Sequence, residues 1–255
     1  MHYIECLGIS GAGKTTLLQH LQSRCAAEAI AVADLRASAG AAILRDGIRL
    51  TTPGIDRTIG ALPARVLRAS FLLDYRYTAQ FSEFMLVWPQ FVLHTLGWAA
   101  EVEDGGPYTL AFLRTLAQWQ WAQGERSPAT ILATDEGFAQ RAVELCMGTP
   151  IPARQAHLNR YARLAPRPSL LIRVVSPPTL ALRRLARRRL WPAPLGSMTA
   201  RERVLRLHTA ADECDRIVEE YKKAGIPVAT VDTRAPDAAE DVLCQMRHLT
   251  GLGRP

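Results

Sequence analysis

Gly8-Ile9-Ser10-Gly11-Ala12-Gly13-Lys14-Thr15, followed by Thr16, fills every fixed position of the phosphate-loop pattern G-x-x-x-x-G-K-[ST]. Its surroundings suit it. Tyr3, Ile4, Cys6 and Leu7 make a short, mostly apolar strand before the loop, and Thr15 to Leu21 reads as a helix after it. Glycines allow a backbone to wrap an anion so that successive N–H groups point inward, and the helix start adds its positive dipole end. Gly8, Ser10, Gly11, Ala12, Gly13, Lys14, Thr15 and Thr16 are therefore assigned to a nucleoside triphosphate. Lys14 has the length to reach the β- and γ-phosphates, and the Thr15 hydroxyl suits Mg²⁺. A plain Gly-rich strand-to-helix turn is the competing interpretation.

The chain has 255 residues, 48% of them hydrophobic, enough for a substantial core in a single α/β domain with an insertion. A net charge of +7 suits polyanionic ligands, and much of it lies between Arg183 and Arg206. Apart from Trp191, that stretch lacks aromatics that stack on bases, so a nucleic-acid partner is not expected. Cys6, Cys25, Cys146, Cys214 and Cys244 show no metal-binding spacing, which with the immediate opening strand points to a cytoplasmic setting without a signal peptide. The apolar run from Phe84 to Ala100 is broken by Pro89, Gln90 and His94 and falls short of a membrane span.

Further strands are expected at Ala29–Leu35, Thr130–Thr134, Leu170–Val175 and Val228–Val231. Helices are expected over Phe138–Met147, Thr199–Ala224 and Asp237–Leu249, and across residues 64–124 with interruptions at Pro89 and Asp104-Gly105-Gly106-Pro107. Residues 38–63, rich in Gly, Thr and Pro, read as a loop with a short helix. Ser176 is expected to cap the helix that follows the fourth strand, with Pro177 at its first position and Pro192 and Pro194 ending it. Strands alternating with helices imply an α/β fold with a parallel sheet covered on both faces, and ligands at the carboxyl ends of the strands.

Asp135 ends the third of these strands, where an acid associated with Mg²⁺ belongs; an N-cap carboxylate is the alternative. Arg183, Arg184, Arg187, Arg188 and Arg189 sit on a helix, with Arg184 and Arg188 on one face. Such an array clamps transferring phosphate, unless it is only a solvated or nucleic-acid-binding face. The stripe of Phe81, Phe84, Trp88 and Phe91 reads as core or the interface of a homodimer rather than an acceptor wall. None of the histidines, His20 included, shows catalytic spacing.

With these residues the chain resembles the nucleoside and nucleotide kinases of the P-loop superfamily, thymidylate kinase most of all. The resemblance rests on the phosphate loop, on Phe71-Leu72-Leu73-Asp74-Tyr75-Arg76, on Asp135, and on the stretch from Pro177 to Arg188. It implies a P-loop three-layer fold spanning residues 1–255, with a helical insertion at about 64–126 and a lid region at about 183–200. It further implies ATP and Mg²⁺, Thr15 and Asp135 as metal ligands, lid arginines at Arg184 and Arg188, an acceptor contact at Arg76, and adenine beside Asp232-Thr233-Arg234-Ala235. The chain departs from thymidylate kinases in two places. Their Asp-Arg pair is Asp135-Glu136 here, and their Arg-Glu-Pro-Gly-type sequence after the second strand is absent, leaving Asp34 and Arg36.

An acid beside the transfer site repels a phosphorylated acceptor and tolerates a hydroxyl or a cation. Glu136 is thus a candidate base or acceptor contact, against the alternative of a helix-start acid, and Asp34 is a second candidate base. No Asn-Lys-x-Asp or Ser-Gly-Gly signature favours a GTPase switch or a transporter ATPase. The sequence points to a kinase for a small-molecule acceptor, more readily a hydroxyl. A nucleoside monophosphate kinase comes second, and a regulatory ATPase that binds a partner or nucleic acid is the rival from another class.

Overall fold

The computed structural model describes residues 2–28, 30–35, 82–102, 105–124, 131–188, 191, 195–235, 237 and 239–250. Arg36, Arg76, the 71–76 segment, Phe81, Arg189, Pro192 and Pro194 lie outside them. In chain order the elements are β1 (His2–Leu7), α1 (Lys14–Ala27), β2 (Val32–Asp34), α2 (Pro89–Glu101), α3 (Gly106–Gly124), β3 (Ile131–Thr134) and α4 (Phe138–Gly148). They continue with α5 (Ile151–Leu164), β4 (Leu170–Val175), α6 (Pro178–Arg187), a short 3₁₀ turn (Leu195–Ser197), α7 (Ala200–Lys223), β5 (Val228–Asp232) and α8 (Glu240–Thr250).

The five strands form one parallel sheet in the order β2-β3-β1-β4-β5. Central strands of such a sheet are covered on both faces, so their sequences read as continuous apolar runs. β1, β3 and β4 are accordingly buried almost throughout. The edges differ. β5 buries only Ala229 and Val231, and β2 is a three-residue, half-buried strand instead of the long buried strand expected from Ala29 to Leu35.

Helix α1 turns Leu17, Leu18, Leu21 and Cys25 onto the sheet. Helix α7 begins at a capping box: the Glu202 amide donates to the Thr199 hydroxyl at 3.3 Å, and the Thr199 amide donates to the Glu202 carboxylate at 2.7 Å. The expected interruption at Pro89 is present: residues 82–87 are helical, Trp88 breaks the helix, and Pro89 opens the next one, because a proline lacks the N–H that a first turn leaves unpaired anyway. Helix α5 was not foreseen from the sequence.

The aromatic stripe is core. Phe84 and Phe91 are fully buried, and Phe91 meets Phe112, Phe138 and Tyr161 edge-on with ring centroids at 5.5, 5.5 and 4.9 Å. Trp88 stacks on Phe84 at 6.2 Å. No described helix is long and apolar enough to cross a membrane.

Candidate active site

The carboxyl ends of the strands bring Asp34, Asp135, the phosphate loop, Ser176 and Thr233 to one edge of the sheet. β1 lies at the centre, so the loop that leaves it sits between the turns after β3 and β4. Two positive φ angles shape the loop, 82° at Gly11 and 102° at Gly13, where a side chain would be strained. Gly8 and Gly11 are also sterically required: an added Cβ would lie 2.6 Å from the carbonyl oxygens of Val174 and Ala181 respectively.

Lys14 folds back over the loop, its ammonium donating to the Gly8 carbonyl at 2.6 Å and the Ile9 carbonyl at 3.2 Å. Desolvation lowers its pKa, while the negative charges of Glu136 and Asp135 act the other way. The Thr15 hydroxyl donates to Asp135 Oδ2 at 2.5 Å. Two hard oxygen ligands, one from the loop and one from the end of β3, thus meet. That set suits Mg²⁺, which keeps several waters and takes few protein ligands.

From α6, the Arg184 guanidinium donates to the Ala12 carbonyl at 2.9 Å and the Thr233 hydroxyl at 3.3 Å. Arg187 and Arg188 line the same cleft of about 540 Å³ with Gly13, Thr16, His20 and Thr233. The cleft runs from the loop toward the segment after β5, where Arg234 grips Asp232 and holds that carboxyl down at about 2. Arg183 is exposed and lies outside the cleft. His20, which the sequence left without a role, lines the cleft because it stands one turn beyond Thr16 on α1.

At the same edge of the sheet, Glu136 is half-exposed and ion-paired to Arg141 at 3.0 Å. Arg141 Nη1 also donates to both carboxylate oxygens of Glu144, at 2.7 and 2.6 Å, and its Nε donates to the Thr115 hydroxyl at 3.1 Å. Asp34 closes β2 opposite Ala133 on the neighbouring strand. One expectation is corrected. Ser176 does not cap the helix after β4: α6 starts at Pro178 with Pro177 as its cap, and the Ser176 hydroxyl is buried without a hydrogen-bond partner. The fixed φ of two successive prolines moves the start one residue onward.

A layer below the loop was missed by the sequence reading. Glu5 of β1 is fully buried, accepting from the Tyr3 hydroxyl at 3.0 Å and the Gln140 amide at 3.1 Å. The Gln140 side chain in turn accepts from the Gly8 amide at 3.4 Å. Burial raises the Glu5 carboxyl to about 7, against the opposing pull of the Gln140 amide and the Tyr3 hydroxyl. A charged residue inside an otherwise apolar strand was the available signal.

No protein-family model matches the chain, and no curated protein matches it. Among solved structures, the deoxyadenosine kinase of M. mycoides with bound dATP is similar over 97% of this chain and 100% of its own, at 10% identity and a TM-score of 0.50. A structure of that kinase with the products dCMP and a flexible dCDP covers 98% of this chain and 99% of its own, at 10% identity and a TM-score of 0.46. At such identity the likeness shows the fold alone, which is similar to that of the deoxyadenosine kinase.

Proposed function

We propose that this protein is an ATP-dependent phosphotransferase that moves the γ-phosphoryl group to a hydroxyl of a small-molecule acceptor. The observation that carries the proposal is the meeting of the Lys14 loop, the Thr15–Asp135 pair and Arg184 at the carboxyl edge of the sheet. In this reading residues 1–255 form one P-loop kinase-like domain, with the lid at about 183–200.

The loop amides from Gly11 to Thr16 hold the β- and γ-phosphates, and Lys14 exchanges its carbonyl partners for phosphate oxygens. Thr15 and Asp135 would hold Mg²⁺, which would offset the charge that develops on the phosphate oxygens. Arg184 and Arg188 approach the triphosphate from the lid side. The acceptor hydroxyl attacks the γ-phosphorus in line, ADP leaves, and the hydroxyl proton passes to a carboxylate, Glu136 or Asp34. Because Glu136 stands where thymidylate kinases carry an arginine, a hydroxyl is a better acceptor than a phosphate. A nucleoside is such a compound, which agrees with the fold shared with a deoxyadenosine kinase.

The test is calorimetry with Mg-ATP and Mg-GTP, using wild-type protein and Lys14→Ala, followed by an acceptor panel of nucleosides, nucleoside monophosphates and simple alcohols. Binding by wild type that the variant loses, with turnover on a hydroxyl acceptor, is expected. Turnover on monophosphates alone would replace the acceptor assignment. No heat with either nucleotide would remove the whole reading.

A further inference from the structure

We infer that Glu5 and Gln140 form a positioning pair for the phosphate loop, one that acts from inside the core without touching the ligand. This deepens the proposed function and rests on it.

The geometry is continuous. Helix α4 has Gly137 as its N-cap and no side-chain cap of its own. The unpaired amides of its first turn are served instead by Glu5, from a strand more than a hundred residues away in sequence: Gln140 donates its amide to Oε1 at 3.1 Å, and the Ala139 amide also bonds the carboxylate. That end of α4 leaves directly from the Asp135-Glu136 turn, so anchoring it fixes where those two carboxylates stand. Gln140 then carries the contact onward, its side-chain oxygen accepting the Gly8 amide at the first position of the loop. One buried carboxylate therefore sets both halves of the site, the loop through Gln140 and the acid turn through α4.

Position 137 supports the same conclusion. A Cβ there would strike the Tyr3 hydroxyl and lie 2.5 Å from the Glu5 carboxyl carbon and 2.7 Å from Oε2. Gly137 is thus the residue that lets the helix end and the carboxylate approach. The groups interacting electrostatically with Glu5 are Tyr3 and Cys6 on β1, Arg141 on α4, Tyr161 on α5 and Tyr221 on α7. Arg141 is the one cation among these described groups. The ionised carboxylate is held mainly by hydrogen-bond donors, the helix amides among them, so losing the ionised form loosens the anchor.

The experiment uses wild type, Glu5→Gln, Gln140→Met and the double variant, with Mg-ATP affinity by calorimetry and thermal unfolding measured side by side. Each single variant should weaken Mg-ATP about tenfold while remaining folded at the assay temperature, and the double variant should be no weaker than the worse single one, because the two act as one unit. Wild-type affinity relative to Glu5→Gln should rise with pH through the neutral range. A carboxylate acting only as a bare charge near phosphate predicts the opposite slope. Wild-type affinity in both single variants, additive losses, or a falling relative affinity would overturn the inference. Failure of wild type itself to bind Mg-ATP would instead sink the kinase reading, so the two failures are distinguishable.

Discussion

Replacing Glu5 by Gln removes an ionisable group from the centre of the sheet, and the expected effect on stability can be worked out. Burial raises this carboxyl from its usual 4.5 to about 7, so the folded protein holds the proton more tightly than the unfolded chain does. The resulting contribution is fully present below the unfolded value and is lost as pH rises through the folded one. At ~1.36 kcal/mol per pH unit, the displacement amounts to about 3 kcal/mol. Urea unfolding of wild type and Glu5→Gln at steps between about pH 5 and about pH 8.5 isolates this contribution, because other titrating groups cancel in the difference. The stability of wild type relative to the variant should fall by most of those ~3 kcal/mol across the range and level off above it. A difference that stays flat would refute the argument, since it would mean that Glu5 is already ionised at the acid end.

Three other outcomes are expected. Gly137→Ala should destabilise the protein by about 3 kcal/mol or more, because the new methyl meets Glu5 and Tyr3 where neither can retreat; an unchanged urea midpoint would contradict this. Arg184→Ala should weaken Mg-ATP on the order of tenfold in calorimetry, through loss of a guanidinium already seated on the loop, and near-wild-type affinity would remove Arg184 from the phosphate contacts. Glu136→Gln should reduce turnover on the productive acceptor by about a hundredfold with Mg-ATP affinity unchanged, and full activity would eliminate Glu136 as base.

Much of this architecture was legible because its strongest parts are local. The loop pattern names its own residues, and β1, β3 and β4, covered on both faces, announce themselves as largely apolar runs, broken by a charge only at Glu5 and Arg173. Helix α7 carries its Thr199–Glu202 start signal in four residues. Helix α5 was missed because it buries little, only Leu158, Tyr161 and Ala162, and opens on Pro150-Ile151-Pro152, which reads as loop. The apolar run from Ala29 to Leu35 overstates β2 in length and burial, since an edge strand needs only one covered face and takes its limits from the partner strand. The Glu5–Gln140–Gly8 connection could not be seen at all. It joins residues 132 to 135 positions apart, and no local pattern encodes which strand end a helix will approach.

The loop's internal bonding bears on how it takes up an anion. Lys14 and Thr15 already have partners in Gly8, Ile9 and Asp135, so an incoming oxyanion displaces bonds rather than filling a void. In the proposed function a triphosphate engages ammonium, hydroxyl and main-chain amides together, so one ligand exchanges all of these internal bonds at once.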